Sequence, residues 1–303
     1  MPELPDVTVY VESLAARLSG QPLQRIRLAS PFLLRSVVPP PREAEGRTVT
    51  GVTRLGKRIV IALEGGLALV IHLMIAGRFR WKEPGAKIPG KLGLAAFDFP
   101  AGTLLLTEAG SKKRASLHVV RGRAALAAHD PGGLEPVGAA PAAFEARLRA
   151  ANHTIKRALT DPRILSGIGN AYSDEILHRA KLSPVVQTQR MGEAEMRRLY
   201  DATQAVLGEW IDRLGAEADS TWPENVTAFR PEMAVRGRYG KPCPACGAPV
   251  QRIRFADNET NYCARCQNAG RLLADRSLSR LLHKDWPKTL DELEQLGPAA
   301  KKP

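Results

Sequence analysis

Apolar positions along this chain change period twice, and each change marks a new kind of element. Between residues 48 and 120 they fall in short β-rich runs at 49–52, 58–63, 67–73, 94–99 and 103–107, punctuated by Gly-Gly, Pro-Gly and Ala-Gly. Ahead of these, residues 6–19 set Val7, Tyr10, Val11, Leu14 and Leu18 near helical spacing, with Asp6 as the expected N-cap. From about 141 to 218 the period turns helical, predicting helices over 141–151, 155–159, 171–180 and 192–214, broken by Pro162, Gly167, Gly169 and Pro184. Residues 130–140, rich in Pro and Gly, read as a linker. Residues 215–236, with Trp222-Pro223 and Arg230-Pro231, read as a long irregular loop, which is more often functional than idle. The pattern thus predicts an α+β multidomain chain: a β-sandwich or barrel with an N-terminal helix, then a helical module.

A chain of 303 residues is long enough for two compact domains and a small appended module. Its formal charge of +13 favours a polyanionic partner, because each Lys or Arg that neutralises a phosphate releases a condensed counterion. A merely solubilising surface would carry the same charge, so the count alone decides little. No run of about 18 apolar residues appears, so no membrane span and no membrane partner is expected. The opening Pro-Glu-Leu-Pro-Asp-Val has neither the basic nor the apolar stretch of a secretory signal.

The four cysteines all lie within residues 243–266, which suits a metal site in a reducing cytosol better than a secreted disulfide framework. Cys243-Pro-Ala-Cys246 and Cys263-Ala-Arg-Cys266 are separated by sixteen residues, supplying four thiolates for one tetrahedral Zn2+. Four cysteines leave no open coordination position, so the ion is expected to be structural. The intervening residues 250–256 and 259–262 read as a β-hairpin, and Arg252, Arg254, Arg265 and Arg271 give it a basic surface that a solvated face would equally show. In the helical module, Gly167-Ile-Gly169-Asn170 is a turn whose amides can approach a phosphate ahead of a helix N-terminus; a plain helix–helix turn looks the same.

Taken together, Met1-Pro-Glu-Leu-Pro-Asp-Val, Leu55-Gly-Lys57-Arg, Ile155-Lys156, Gly167-Ile-Gly-Asn170-Ala-Tyr172 and the finger following Gly237-Arg-Tyr-Gly-Lys-Pro-Cys243 resemble the formamidopyrimidine-DNA glycosylase and endonuclease VIII family. The resemblance spans roughly residues 1–267 in the right order. It implies a β-sandwich with a helix, a helix–two-turns–helix domain and a zinc β-hairpin finger, with domains at 1–128, 141–236 and 237–267 and an extension at 268–303. It implies base-excision repair: a glycosylase and AP lyase acting on damaged double-stranded DNA, as a cytoplasmic monomer without a nucleotide cofactor. Removal of Met1 would expose the secondary amine of Pro2; the ordinary α-amino pKa of about 7.7–8.0 leaves a usable neutral fraction. That amine would attack the sugar C1′ and form a Schiff base. Glu3 carries over as the acid/base and Lys57 as a phosphate or damaged-base contact and proton shuttle. Lys156 and Asn170 carry over as phosphate ligands.

Three departures from the family pattern bear on DNA reading. In His72-Leu-Met74-Ile75-Ala-Gly77, Ile75 takes the slot of the family's void-filling methionine, one residue after Met74. The usual gap-filling loop is replaced by Glu108-Ala-Gly-Ser-Lys-Lys113-Arg114-Ala115-Ser116, which keeps positive charge but puts Ala115 where an aromatic wedge belongs. Asn258 stands where the finger's phosphate-binding arginine is expected, with Arg252, Arg254 or Arg265 as candidate replacements. Leu272, Leu273, Leu278, Leu281 and Leu282 suggest an amphipathic helix packing back on the body. The departures fall on reading and gap filling while the chemical residues remain, so retained activity with altered lesion preference is expected. Two alternatives compete: a catalytically quiet damaged-DNA-binding protein of the same fold, and an RNA-binding zinc-ribbon protein.

Overall fold

Helix α1 (Leu4–Leu18) begins with an acidic residue reaching back over one turn. Glu3, in extended backbone, is the N-cap, and Asp6, expected in that role, is the third helical residue. Its Oδ2 accepts the Glu3 N–H at 2.9 Å, satisfying an amide that the helix itself leaves without a partner. Pro5 fits the first turn, where a missing N–H costs nothing. Val7, Tyr10, Leu14 and Leu18 form the buried stripe, and Val11 packs at its edge.

The computed structural model describes residues 1–110, 112–218, 221–224, 226–227, 229–255, 258–275 and 285–295. The chain divides into two units, Met1–Gly133 with Gly208–Ala228, and Leu134–Leu207 with Phe229–Pro303. The first unit contains strands β1 (Arg25–Leu28), β2 (Val49–Leu55), β3 (Arg58–Leu63), β4 (Leu67–His72), β5 (Gly77–Lys82), β6 (Gly93–Phe99), β7 (Gly102–Glu108) and β8 (Ser116–Arg121), then a short helix α2 (Arg123–Ala127). They form a β-sandwich of two four-stranded antiparallel sheets, ordered β1-β6-β7-β5 and β2-β3-β4-β8. Ile59, Ile61, Leu69, Ile71 and Leu117 of one sheet share a core with Phe79, Phe97, Leu104 and Leu106 of the other, together with the α1 stripe. Strands β1, β5 and β8 are not among the predicted runs. In Arg78-Phe79-Arg80-Trp81-Lys82 a cation at every second position dilutes the apolar signal, although Phe79 is fully buried.

The second unit holds α3 (Pro141–Arg149), α4 (Ile155–Thr160), α5 (Asn170–Ala180) and the start of α6 (Glu193–Ala218). Phe144, Leu148, Ile155, Leu159, Leu165, Tyr172 and Ile176 are buried, and the Phe144 and Tyr200 rings meet edge-to-face at 5.6 Å. Helix α6 runs four residues past its predicted end at 214; Gly215, at only about 1 kcal/mol against Ala, does not stop it. The finger follows as β9 (Gln251–Phe255) and β10 (Asn258–Tyr262), an antiparallel pair, then α7 (Ala264–Asn268) and α8 (Leu290–Gln295). Leu272 and Leu273 pack on the finger core in irregular backbone, not in the amphipathic helix expected of them, and Leu278, Leu281 and Leu282 lie outside the described residues. No helix among the described residues is long and apolar enough to cross a membrane.

The turn between β4 and β5 leaves no room for a side chain at Gly77. A Cβ at Gly77 would sit 2.2 Å from the Leu73 carbonyl oxygen, the same atom that accepts the Gly77 N–H at 2.9 Å. Overpacking of this kind costs about 1–3 kcal/mol. Gly77→Ala is expected to lose that much stability in urea unfolding followed by circular dichroism.

Candidate active site and metal centre

The chain-tip amine of the first unit, that of Met1, lies among four charged groups: Glu3, Arg78, Asp6 and Lys57. Burial holds this amine below its ordinary pKa, Arg78 and Lys57 push the same way, and Glu3 and Asp6 oppose them. Pro2 is buried, Glu3 is 2 % exposed and Asp6 is fully buried. Lys57 occupies a two-residue hairpin turn closed by the Leu55–Arg58 pair, with Gly56 at φ +61° in the first central position, as a type II′ turn requires. The Arg54 guanidinium fastens that turn by donating to the Gly56 carbonyl at 3.0 Å. Pro2, Glu3 and Lys57 were expected at one site; Arg78 was not, because it belongs to the unpredicted strand β5. The alternation of that strand was the signal that would have found it.

Arg78 also joins the amine's surroundings to the β4–β5 turn, donating to the carbonyls of Gly77 at 2.6 Å and Ile75 at 3.3 Å. At the tip Ile75 is 52 % exposed, while Met74 is half-buried in the left-handed region at φ 53°. The Met74 N–H donates to Nδ1 of His72 at 3.0 Å, which requires an unprotonated nitrogen there. Burial, with help from Arg58 and Lys57, pushes the His72 pKa down to about 4 and keeps that acceptor available.

The Glu108–Ser116 loop is organised by a carboxylate the sequence did not single out. Glu108, 1 % exposed, accepts the Arg114 N–H at 2.9 Å and the Ala115 N–H at 3.2 Å. Lys113 folds back to donate to the Glu108 carbonyl, leaving Lys112 and Arg114 exposed, and Ala115 is buried in the sandwich core. The chain returning after α6 is fastened to β5: Trp222 Nε1 donates to the Phe79 carbonyl at 3.1 Å, and Arg80 and Lys82 pair with Glu224.

In the second unit, the Gly167–Asn170 turn opens α5 and Lys156 reaches it from α4. Its ammonium donates to the Asn170 carbonyl at 2.8 Å, to Ser173 Oγ at 2.8 Å and to the fully buried Asp174 carboxylate. An ammonium has three protons, so those of Lys156, expected on a phosphate, are engaged within the protein. Asp174 also accepts the Asn261 N–H at 3.0 Å and pairs with Arg236 at 3.2 Å, tying the β10 strand to α5. Neighbouring Glu175 accepts the N–H groups of Ala234, Val235 and Arg236 at 2.7–3.0 Å. The Asn170 side-chain amide donates to Asn258 Oδ1 at 3.0 Å, so two residues named separately from sequence form one pair. Of the finger arginines, Arg252 stacks on Tyr239 at 4.1 Å, Arg254 pairs with Glu259 at 3.3 Å, and Arg265 is exposed.

The four cysteine sulfurs lie within 4.8 Å of one another, with Cys243–Cys266 at 4.0 Å and Cys246–Cys263 at 3.4 Å. Tetrahedral zinc with Zn–S bonds of about 2.3 Å sets its sulfurs roughly 3.8 Å apart, so the donor set fits one structural Zn2+. Gly247, at φ 75°, turns the first knuckle, and Cys263 caps α7 in the second.

A β-sandwich carrying a buried chain-tip amine, together with a helical module and a four-thiolate finger, defines the class. Family models match in the same order: the formamidopyrimidine-DNA glycosylase N-terminal domain over residues 1–116, the H2TH domain of that enzyme over 133–220, and the zinc finger found in FPG and IleRS over 240–269. The formamidopyrimidine-DNA glycosylase of Thermus thermophilus is 35 % identical over 280 residues, covering 89 % of this chain and all of that protein. Among solved structures, a mutant Lactococcus lactis FPG bound to Fapy-dG-containing DNA superposes with a TM-score of 0.78 at 27 % identity, covering 88 % of this chain and all of that one. The MutM (FPG) protein of Thermus thermophilus superposes at 0.75 with 34 % identity over 88 % of this chain and 98 % of its own. The chain belongs to the formamidopyrimidine-DNA glycosylase family. A catalytically quiet binding protein is not favoured, since relatives named as glycosylases match from end to end.

The depressed His72 pKa has a thermodynamic consequence with a definite sign. As pH falls through about 6.5 the unfolded chain takes up a proton that the native ring refuses until about 4, so stability is lost across that window. Between pH 7 and pH 5 the wild type should lose about 2 kcal/mol more than His72→Asn, which keeps the acceptor but does not titrate. Urea midpoints at the two pH values measure the difference.

Proposed function

We propose that this base-excision-repair DNA glycosylase and AP lyase uses as its nucleophile the secondary amine that Pro2 presents once Met1 is removed. The carrying observation is the Met1 amine one residue ahead of Pro2, held below its ordinary pKa by burial beside the Glu3 and Asp6 carboxylates and the Arg78 and Lys57 cations, surroundings that the Pro2 amine takes over when Met1 is removed. The amine nitrogen bonds to C1′ as the C1′–N bond to the damaged base breaks, and the base leaves with a proton. Sugar ring opening gives an iminium whose charge acidifies the C2′ protons. Loss of one, then of a proton further along, expels the 3′ and 5′ phosphates in turn. Glu3 supplies and removes the protons, and Lys57 and Arg78 attract the flanking phosphates.

The DNA is a damaged duplex, drawn by the net charge of +13. Exposed Ile75 fills the gap left by the extruded nucleotide, Met74 props the turn beneath it, and Arg114 reaches toward the opposite strand. Asn170 and Asn258 hold a phosphate through neutral amides, with Arg265 adding charge nearby on the finger. Lys156 orients α5 for that contact. Domain limits near 128, 141, 237 and 267, a monomeric state and a cytosolic location complete the reading.

Borohydride reduction on an abasic-site duplex should trap a covalent adduct with the wild type and none with Pro2→Gly extended by an N-terminal tag. An undiminished adduct from that variant would rule out the proline. Replacing the neutral amide by a cation, Asn258→Arg, should steepen the dependence of log K on log salt by about 0.9, one added phosphate contact. An unchanged slope in filter binding would place residue 258 away from the backbone.

A further inference from the structure

The metal centre is fastened to α5 and the chain just past it at two points that lie outside the cysteine motif. His178, in the last turn of that helix and 9 % exposed, places Nε2 3.2 Å from Sγ of Cys243. Just beyond, Lys181 takes a left-handed conformation at φ 54°, and the Leu182 carbonyl that follows accepts from Gln267 Nε2 at 2.9 Å. The other end of the same amide, Gln267 Oε1, accepts the Cys263 N–H at 2.8 Å. Each knuckle therefore has its own tie, Cys243 to α5 through His178 and Cys263, through Gln267, to the chain just past that helix.

Four thiolates around Zn2+ carry a net charge of −2, and two of those sulfurs belong to buried residues, Cys243 and Cys263. Buried anionic charge is tolerated when N–H groups point at it. The Cys266 N–H approaches Cys263 Sγ at 3.5 Å, and His178 stands in the corresponding place for Cys243. With the coordination shell completed by sulfur, a ring nitrogen beside a thiolate acts as its donor, which fixes the proton on Nε2.

We propose that His178 is a positioning residue of the zinc centre, donating its Nε2–H to the Cys243 thiolate and so holding the first knuckle against α5. The bond spreads charge from a buried sulfur and lowers its tendency to leave the metal. It also makes α5, the helix that starts at Asn170, a support for the finger rather than a neighbour. The inference concerns only the zinc centre and does not depend on the nucleophile assigned above.

The test uses the full-length zinc-loaded protein and two variants. His178→Phe keeps the ring and loses the donor, whereas His178→Gln puts an amide N–H where Nε2 was. Zinc transfer to a chromophoric chelator should be about 10–100-fold faster for His178→Phe, the usual cost of losing a partner behind a metal ligand, and close to wild type for His178→Gln. After cobalt substitution, the thiolate-to-cobalt charge-transfer band should move in the Phe variant and stay in place in the Gln variant. If the Phe variant fails to fold, a Gln variant that folds and retains zinc at the wild-type rate supports the donor. Wild-type zinc retention in the Phe variant overturns the proposal, as does a Gln variant that sheds zinc as fast as Phe or fails to load it.

Discussion

Burying the Met1 amine beside two buried carboxylates is the constraint on which the first unit depends. A carboxylate alone next to the chain tip would hold the amine protonated, and burial alone would leave the carboxylates poorly solvated. Arg78 and Lys57 resolve the conflict by adding positive charge on the amine's side of the balance. Asp6 accepts the Glu3 amide and so begins α1 beside the chain-tip amine. Helix capping and site geometry are here one interaction, and loosening either would release the other.

The second unit solves a different problem, which is to hold a basic surface rigid without exposing all of its charge. Lys156 and Arg236 converge on one buried carboxylate, Asp174, and leave it overcompensated by one positive charge. Both cations are about nine-tenths buried at the side chain, so they act on α5 and the finger hairpin before they act on DNA. Glu175, next along the helix, takes three consecutive amides of the segment leading into the finger. Adjacent acids on α5 thus grip two different stretches of chain, because neighbouring helical positions point about 100° apart.

Much of this was legible in the sequence where residue type alone dictates the outcome. The two cysteine pairs gave the metal, the glycine turn gave the start of α5, and short apolar runs between turn residues gave five of the sandwich strands. What stayed hidden depended on tertiary burial. Strand β5 alternates correctly, yet its arginines and lysine look like a solvated segment until Phe79 and Trp81 are seen against the core. Glu108 and Asp174 were not singled out, because nothing local reveals that a loop or a lysine will close over them. His178 was silent for the same reason: its partner lies sixty-five residues away. The expected cap at Asp6 was misplaced by one turn, since a box of two acids can be read from either end.

The three departures from the family pattern share a physical character. Ile75 for methionine exchanges a flexible thioether for a stiffer β-branched side chain, which as the proposed wedge would tolerate fewer gap shapes. Ala115 removes an aromatic body from its loop, but Glu108 holds the backbone amides of Arg114 and Ala115, so the Arg114 side chain leaves from an anchored backbone. Asn258 exchanges a fork of charged donors for an amide already oriented by Asn170. Each change trades adaptability or charge for a group held in place. Such groups discriminate by shape and hydrogen-bond direction more than by attraction to any polyanion. On the function proposed above, the departures bear on which lesion and which opposite base are accepted, while the amine, Glu3 and the phosphate attraction of a +13 chain are left as they were.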